Sequence, residues 1–225
     1  MTRRILVMAL LGALLGALLG CTSAAEPDYA TLDIELSHLE RIALPPGAVA
    51  VAALRQTAAL ANAPDHGPAL VPRGPGEVVA RESAAIAGPA PIRVSLRYDR
   101  GLLDPARALV IDGWIYAEDQ ALFAVPKPPR VRPGSTGPVR LVLRRLRHVA
   151  FACDDQSQPS IAFPALGGDL AFLENIGATP VALRAQPAGS GFHYRGGGFA
   201  LRGKGTEAVL KRPAGGETRC IASQP

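Results

Sequence analysis

Ser-Gly-Phe-His-Tyr-Arg-Gly-Gly-Gly-Phe-Ala-Leu-Arg-Gly-Lys-Gly-Thr-Glu-Ala-Val-Leu, residues 190–210, decides the fold of this chain. It reads as two strands, Phe192–Arg195 and Gly198–Arg202, each entered or left through a glycine-flanked polar tip. Ser190 sits between Gly189 and Gly191, and Lys204 between Gly203 and Gly205. Glycine there lets the backbone approach a partner closely. Working outward, short apolar or alternating runs predict strands at Val149–Cys153, Ser160–Phe163, Asp169–Leu173, Thr179–Arg184, Ala208–Lys211 and Thr218–Ala222. With the first two they make eight strands in about 75 residues, which suits a small antiparallel β-barrel with no free edges.

The first half also reads as strands. Thr31–Leu36 alternates strictly, with Leu32, Ile34 and Leu36 on one face. Val49–Leu54 follows a Pro45-Pro46-Gly47 turn, and Glu77–Ala80, Ile92–Tyr98, Ala108–Tyr116, Ala121–Val125 and Val139–Leu143 complete the set. Their spacing is that of a β-sandwich. Ala58–Pro75, rich in Pro, Gly and Ala, reads as a long loop. Residues 126–137 have the composition of a linker but precede a last sandwich strand, so they read as an exposed crossover. The expected class is all-β: a sandwich over 29–146, then a barrel over 147–225.

Arg3 and Arg4, an uncharged run from Ile5 to Leu19, and Leu18-Leu19-Gly20-Cys21 form an export signal. The last four residues resemble the bacterial lipobox. That resemblance implies a signal peptide over 1–20, lipidation of Cys21, a tether over 21–28 and an outer-membrane destination, Thr22 standing where a retention signal carries aspartate. The apolar run is shorter than the roughly 20 residues a spanning helix needs. Of three cysteines, Cys153 and Cys220 then remain, and in an oxidising compartment two such thiols pair. Metal binding by them is the weaker alternative, because there is no Cys-x-x-Cys and the four histidines are scattered. No metal or cofactor is expected. Without Arg3 and Arg4 the chain carries 22 basic and 19 acidic residues, and no aromatic ladder accompanies the basic ones, which argues against a nucleic-acid partner.

Two resemblances fit this frame. Ser190-Gly191-x-x-Tyr194, Lys204-Gly205-x-Glu207-Ala208 and the enclosing cysteines resemble the membrane-bound inhibitors of c-type lysozyme, the MliC family. The resemblance implies a disulfide-closed barrel that inserts Ser190 and Lys204 into the lysozyme cleft. Gly191, Gly205 and Thr206 shape the two tips, and Tyr194 props the serine loop. A c-type lysozyme keeps two carboxyl groups in its cleft, and a hydroxyl and an ammonium supply donors to them once water is excluded. The chain departs from the family at Leu201-Arg202-Gly203, where members often carry an aromatic residue. It also lacks acidic steering: from 149 onward there are seven basic and six acidic residues. In the first half, Glu40–Ala48, Ile92–Tyr98 with Asp104-Pro105, and the strand around Trp114 resemble the YbaY/YscW-type lipoprotein domain, a small β-sandwich.

Catalysis is not expected. Ser190 and His193 fall on opposite strand faces, Gly-x-Ser-x-Gly is absent, and the adjacent Asp154 and Asp155 point apart. The expected function is inhibition of c-type lysozyme by a lipid-anchored envelope protein, its oligomeric state unspecified. Two rivals make different demands. A pilotin-like assembly factor calls for an exposed apolar groove on the first domain. An envelope-binding structural lipoprotein would use the acid-free run holding Lys127, Arg130, Arg132, Arg140, Arg144, Arg145 and Arg147.

Overall fold

The computed structural model describes residues 27–40, 42–57, 77–135, 137–164 and 168–223. The signal segment, Cys21 and the Ala58–Pro75 loop lie outside them. β1 (Tyr29–His38) alternates as its sequence demands, with Leu32, Ile34 and Leu36 buried. It pairs antiparallel with β4 (Ile92–Asp99) and parallel with the start of β8 (Val139–Cys153) to make the first sheet. β2 (Val49–Gln56) lies between β3 (Glu77–Ala85) and β5 (Leu109–Ala117), and β5 continues to β6 (Gln120–Ala124) in the second sheet. The crossover after β6 is pinned midway, where β7 (Arg130–Val131) pairs with Leu109–Val110. A 3-10 turn, Arg100–Leu102, is capped by the Asp99 carboxylate, which accepts from the Gly101 N–H.

The two sheets face each other across a core of Leu32, Ile34, Leu36, Leu54, Leu96, Ile111, Leu141 and Leu143. Gly113 sets their closeness: a methyl group there would lie 2.6 Å from Leu36 Cδ2 and 2.7 Å from Leu141 Cδ1.

The second half is the expected closed eight-stranded antiparallel barrel. The far part of β8 pairs with β9 (Ser160–Pro164), and order then follows sequence through β10 (Leu170–Glu174), β11 (Val181–Ala185), β12 (Phe192–Gly196), β13 (Phe199–Lys204), β14 (Glu207–Lys211) and β15 (Glu217–Ala222). β15 closes back on β8 with Cys220 opposite Cys153, and these two form the disulfide. Phe151, Ile161, Leu173, Leu183, Leu201 and Leu210 fill the interior.

Val139–Leu143 and Val149–Cys153 read as separate strands in the sequence, but they are the two ends of β8. Alternation breaks at Arg144–Arg145, both exposed, where β8 leaves β1 and pairs with β6. The same strand enters the barrel at Leu146, opposite Pro164 of β9. The second sheet is therefore a middle layer. Ala50, Ala52, Leu54 and Ile111 face the sandwich core, while Val51, Ala53 and Trp114 pack on Leu170 and Phe172 of the barrel. Burial on both faces explains why Val49–Leu54 is continuously apolar.

Candidate functional site

Barrel neighbours are antiparallel, so β12 and β14 run parallel to β8. Their N-terminal ends therefore lie at the barrel end where β8 arrives from the sandwich. Ser190 and Gly191 precede β12, and Gly205 and Thr206 precede β14, so both glycine-flanked tips sit on one rim. They also touch. Phe192 pairs with Gly203, and Gly191, at φ +75°, lies so close that a methyl group on it would collide with the Gly203 carbonyl oxygen. Lys204 pairs with Glu207 across a two-residue turn in which Gly205 takes φ +62°, the type II′ arrangement. The base of the serine loop is closed by Gln186 N–H donating to the His193 carbonyl at 2.7 Å. The turn is tied to β15 by Ala222 N–H donating to the Thr206 carbonyl at 2.8 Å. Ser190, Lys204, Gly205 and Thr206 are exposed, and no side-chain hydrogen bond or ion pair within the described residues holds Ser190 or Lys204. The rim thus presents a hydroxyl and an ammonium side by side.

Tyr194 stands behind the tip. It is half-buried, its ring centroid 5.7 Å from Phe163 and 6.3 Å from Phe192, and it pairs across to Leu201. The Phe192 ring lies against Gly203, where a methyl group would meet its Cζ at 2.6 Å. The aromatic missing before Lys204 thus has a counterpart on the neighbouring strand. Arg202 is held by Glu217 at 3.0 Å, away from the tip, and Glu207 forms no ion pair among the described residues. His193 is half-buried. Asp155 serves a turn: Ser157 and Arg212 donate to its carboxylate and hold it down at about 2. No group of His, Cys, Asp or Glu among the described residues is placed to hold a metal ion.

The sandwich carries a second opening, a cleft of about 570 Å³ at the β1–β2 connection with Ile42, Leu44, Pro45, Ile86 and Pro89 in its walls. The residues of the basic run lie on more than one element. Lys127, Arg130 and Arg132 belong to the crossover, Arg140 pairs with Glu35 at 3.3 Å, and Arg144, Arg145 and Arg147 stand in the middle of β8.

No family model matches the chain, and no curated protein matches it. Among solved structures it is similar to an alternative pilotin from the type II secretion system of Vibrio cholerae, at 22% identity and a TM-score of 0.43. That match covers 53% of this chain and 99% of the pilotin.

Sequence reasoning missed the polar groups joining the two halves. Asp112 of β5, 0% exposed, accepts from Arg55 Nε of β2 at 3.2 Å and from both terminal nitrogens of Arg184 of β11 at 2.7 and 2.5 Å. Glu174 of β10, also buried, accepts from the Ala121 N–H of β6 at 2.7 Å. His148 Nε2 reaches the Ala121 carbonyl at 2.9 Å and Glu174 at 3.4 Å. The Glu174 hydrogen bond is the main cause that raises the His148 pKa above 6.5. An aspartate inside the apolar run Leu109–Trp114 was the available signal.

Proposed function

We propose that the chain is a lipid-anchored envelope protein of the outer membrane whose barrel inhibits c-type lysozyme. In this reading Ser190 and Lys204 enter the enzyme's cleft and donate to its two carboxyl groups. The observation that carries it is the convergence of the two tips: a free hydroxyl and a free ammonium on one rim, locked together by Gly191 against Gly203. Lysine supplies the charge-assisted donor that a desolvated carboxylate needs, and serine the neutral one. The disulfide and the Thr206–Ala222 bond hold the rim in place before binding, which limits the ordering cost on association. The MliC-like pattern of the same residues supports the assignment.

The test is turbidity loss of a bacterial cell-wall suspension under a c-type lysozyme, with the mature chain carrying Cys21→Ser. Dose-dependent protection is expected. Lys204→Ala should weaken binding by about 2–4 kcal/mol, and the Ser190→Ala/Lys204→Ala pair should abolish protection. Absence of protection at micromolar protein with the disulfide intact rejects this function.

A second reading, a pilotin-like assembly factor working through its sandwich, draws on the apolar cleft at the β1–β2 connection. Loss of outer-membrane assembly in a strain lacking the gene is its expected phenotype. Normal assembly in that strain rejects it.

A further inference from the structure

Lys204 begins a row that crosses four strands. It lies opposite Glu207 of β14, Glu207 lies opposite Ile221 of β15, and Ile221 lies opposite Ala152 of β8. Residues directly opposite in an antiparallel ladder share a face. Their chain neighbours Ala208, Cys220 and Phe151 point into the barrel, so the row points outward, and all four of its members are exposed. On β15 the outward positions are Glu217, Arg219 and Ile221, with Cys220 turned inward to its disulfide. The first two are charged and the third is not. Ile221 is 61% exposed, the one large apolar side chain so exposed among the described residues of the barrel.

An exposed isoleucine is ordinary by itself; its place selects what covers it. Neighbouring strands lie about 4.8 Å apart, which puts Ile221 about 10 Å from Lys204 along the row. A stable protein–protein interface takes about 800 Å² of each partner, a disc of about 16 Å radius. Tip and flank are one continuous surface, so a protein seated on Lys204 reaches Ile221 as well. Half-buried Val209, diagonal to Ile221, and the small Ala152 beside it make a low apolar surround. Lys204, Glu207 and Arg219 border it, giving the apolar centre and polar rim of a protein contact. An anionic lipid surface fits less well, because the Glu207 carboxylate stands between the lysine and the isoleucine. The flank is also set before binding. Ala222 N–H donates to the Thr206 carbonyl and Ser223 N–H to the Ala150 carbonyl, both at 2.8 Å, on the two sides of Ile221. We propose that Ile221 is a second anchor for c-type lysozyme, covered by the lip of the enzyme's cleft while Lys204 occupies the cleft itself. This rests on the inhibitor reading above and names a contact outside the two tips.

The experiment is calorimetric titration of a c-type lysozyme with the mature chain carrying Cys21→Ser, alone and with Ile221→Thr, Ile221→Leu or Val142→Thr. Threonine keeps the β-branched shape that a strand favours, and Val142 is an exposed apolar position on the sandwich, at 44%. Ile221→Thr should weaken binding about tenfold, since an apolar contact is lost and a hydroxyl is covered in its place. Ile221→Leu and Val142→Thr should keep the parental affinity, and the urea midpoints of all four proteins should agree closely. Parental affinity in Ile221→Thr, or an equal loss in Val142→Thr, overturns the proposal; the inhibitor reading then still stands if Lys204→Ala loses binding. No binding by the parent rejects the inhibitor reading, and this contact with it.

Discussion

At Gly191 and Gly205 the same backbone sign has two different reasons. Both residues take positive φ, +75° and +62°, but only Gly191 has backbone in the space a side chain would need. Gly205→Ala therefore meets the left-handed penalty alone, about 1–2 kcal/mol. Gly191→Ala must in addition push Ser190 away from Gly203 and Lys204. The expected outcome is a modest stability loss with inhibition retained for Gly205→Ala, and a larger stability loss with inhibition lost for Gly191→Ala. Urea denaturation and the lysis assay on both variants check this. Equal inhibition by the two would mean that the contact between the tips does not matter. The glycine-flanked tips were legible in the sequence because glycine on both sides of a polar residue marks a tight turn, and the two turns recur fourteen positions apart inside the cysteine pair. The place of Phe192 against Gly203 was not, since strand register decides which ring fills which gap.

β8 shows what local pattern cannot resolve. Its polar middle, Arg144-Arg145-Leu146-Arg147-His148, resembles a domain boundary, yet the backbone there is paired throughout, first with β6 and then with β9. Ladder bonds are indifferent to side chains, so a strand can stay continuous where its alternation fails. His148 adds a pH dependence at this joint. Its hydrogen bond to Glu174 raises its pKa above 6.5, against which Arg145 acts weakly. A raised folded-state value means that the protonated form is favoured on folding. The contribution is fully present below pH 6.5 and disappears as pH rises through the folded value. The urea midpoint should therefore fall between about pH 6 and pH 8, and His148→Gln should flatten that slope. An identical slope in the variant would assign the effect to another group. The barrel seam is the other weak element. β15 meets β8 through three residue pairs, with the Cys153–Cys220 bond enclosing a separation of 67 residues. Cys153→Ala/Cys220→Ala should cost about 4 kcal/mol in the chain-entropy model. Because β15 also holds Thr206, reduction should weaken inhibition along with stability. Inhibition unchanged after complete reduction would show that the rim does not depend on the seam.

On the scale of the whole molecule, the all-β class and the sandwich-then-barrel order were readable because strand period and turn spacing are local properties. The stacking of the barrel on the sandwich was not, because nothing local says what covers the far face of β2 and β5. Arg55 after an apolar run and Asp112 within one become intelligible only once Arg184 arrives from the barrel. Asp112 thus neutralises one of two buried guanidinium groups and shares its oxygens between both, one from each half of the molecule. Removing it leaves Arg55, 2% exposed, and Arg184 without their carboxylate. Asp112→Ala should then cost about 3–5 kcal/mol, well beyond the loss of a surface pair. Replacing all three residues together by Leu at 112 and Met at 55 and 184 should recover most of that loss, since packed apolar groups tolerate the site once no charge is stranded. Calorimetry separates the energetic claim from the architectural one. If the triad couples the halves, the parent unfolds in one transition, and Asp112→Ala unfolds in two, the barrel kept later by its disulfide. A single transition shifted to lower temperature would mean that the Trp114–Phe172 contact and its apolar neighbours couple the halves without the charges.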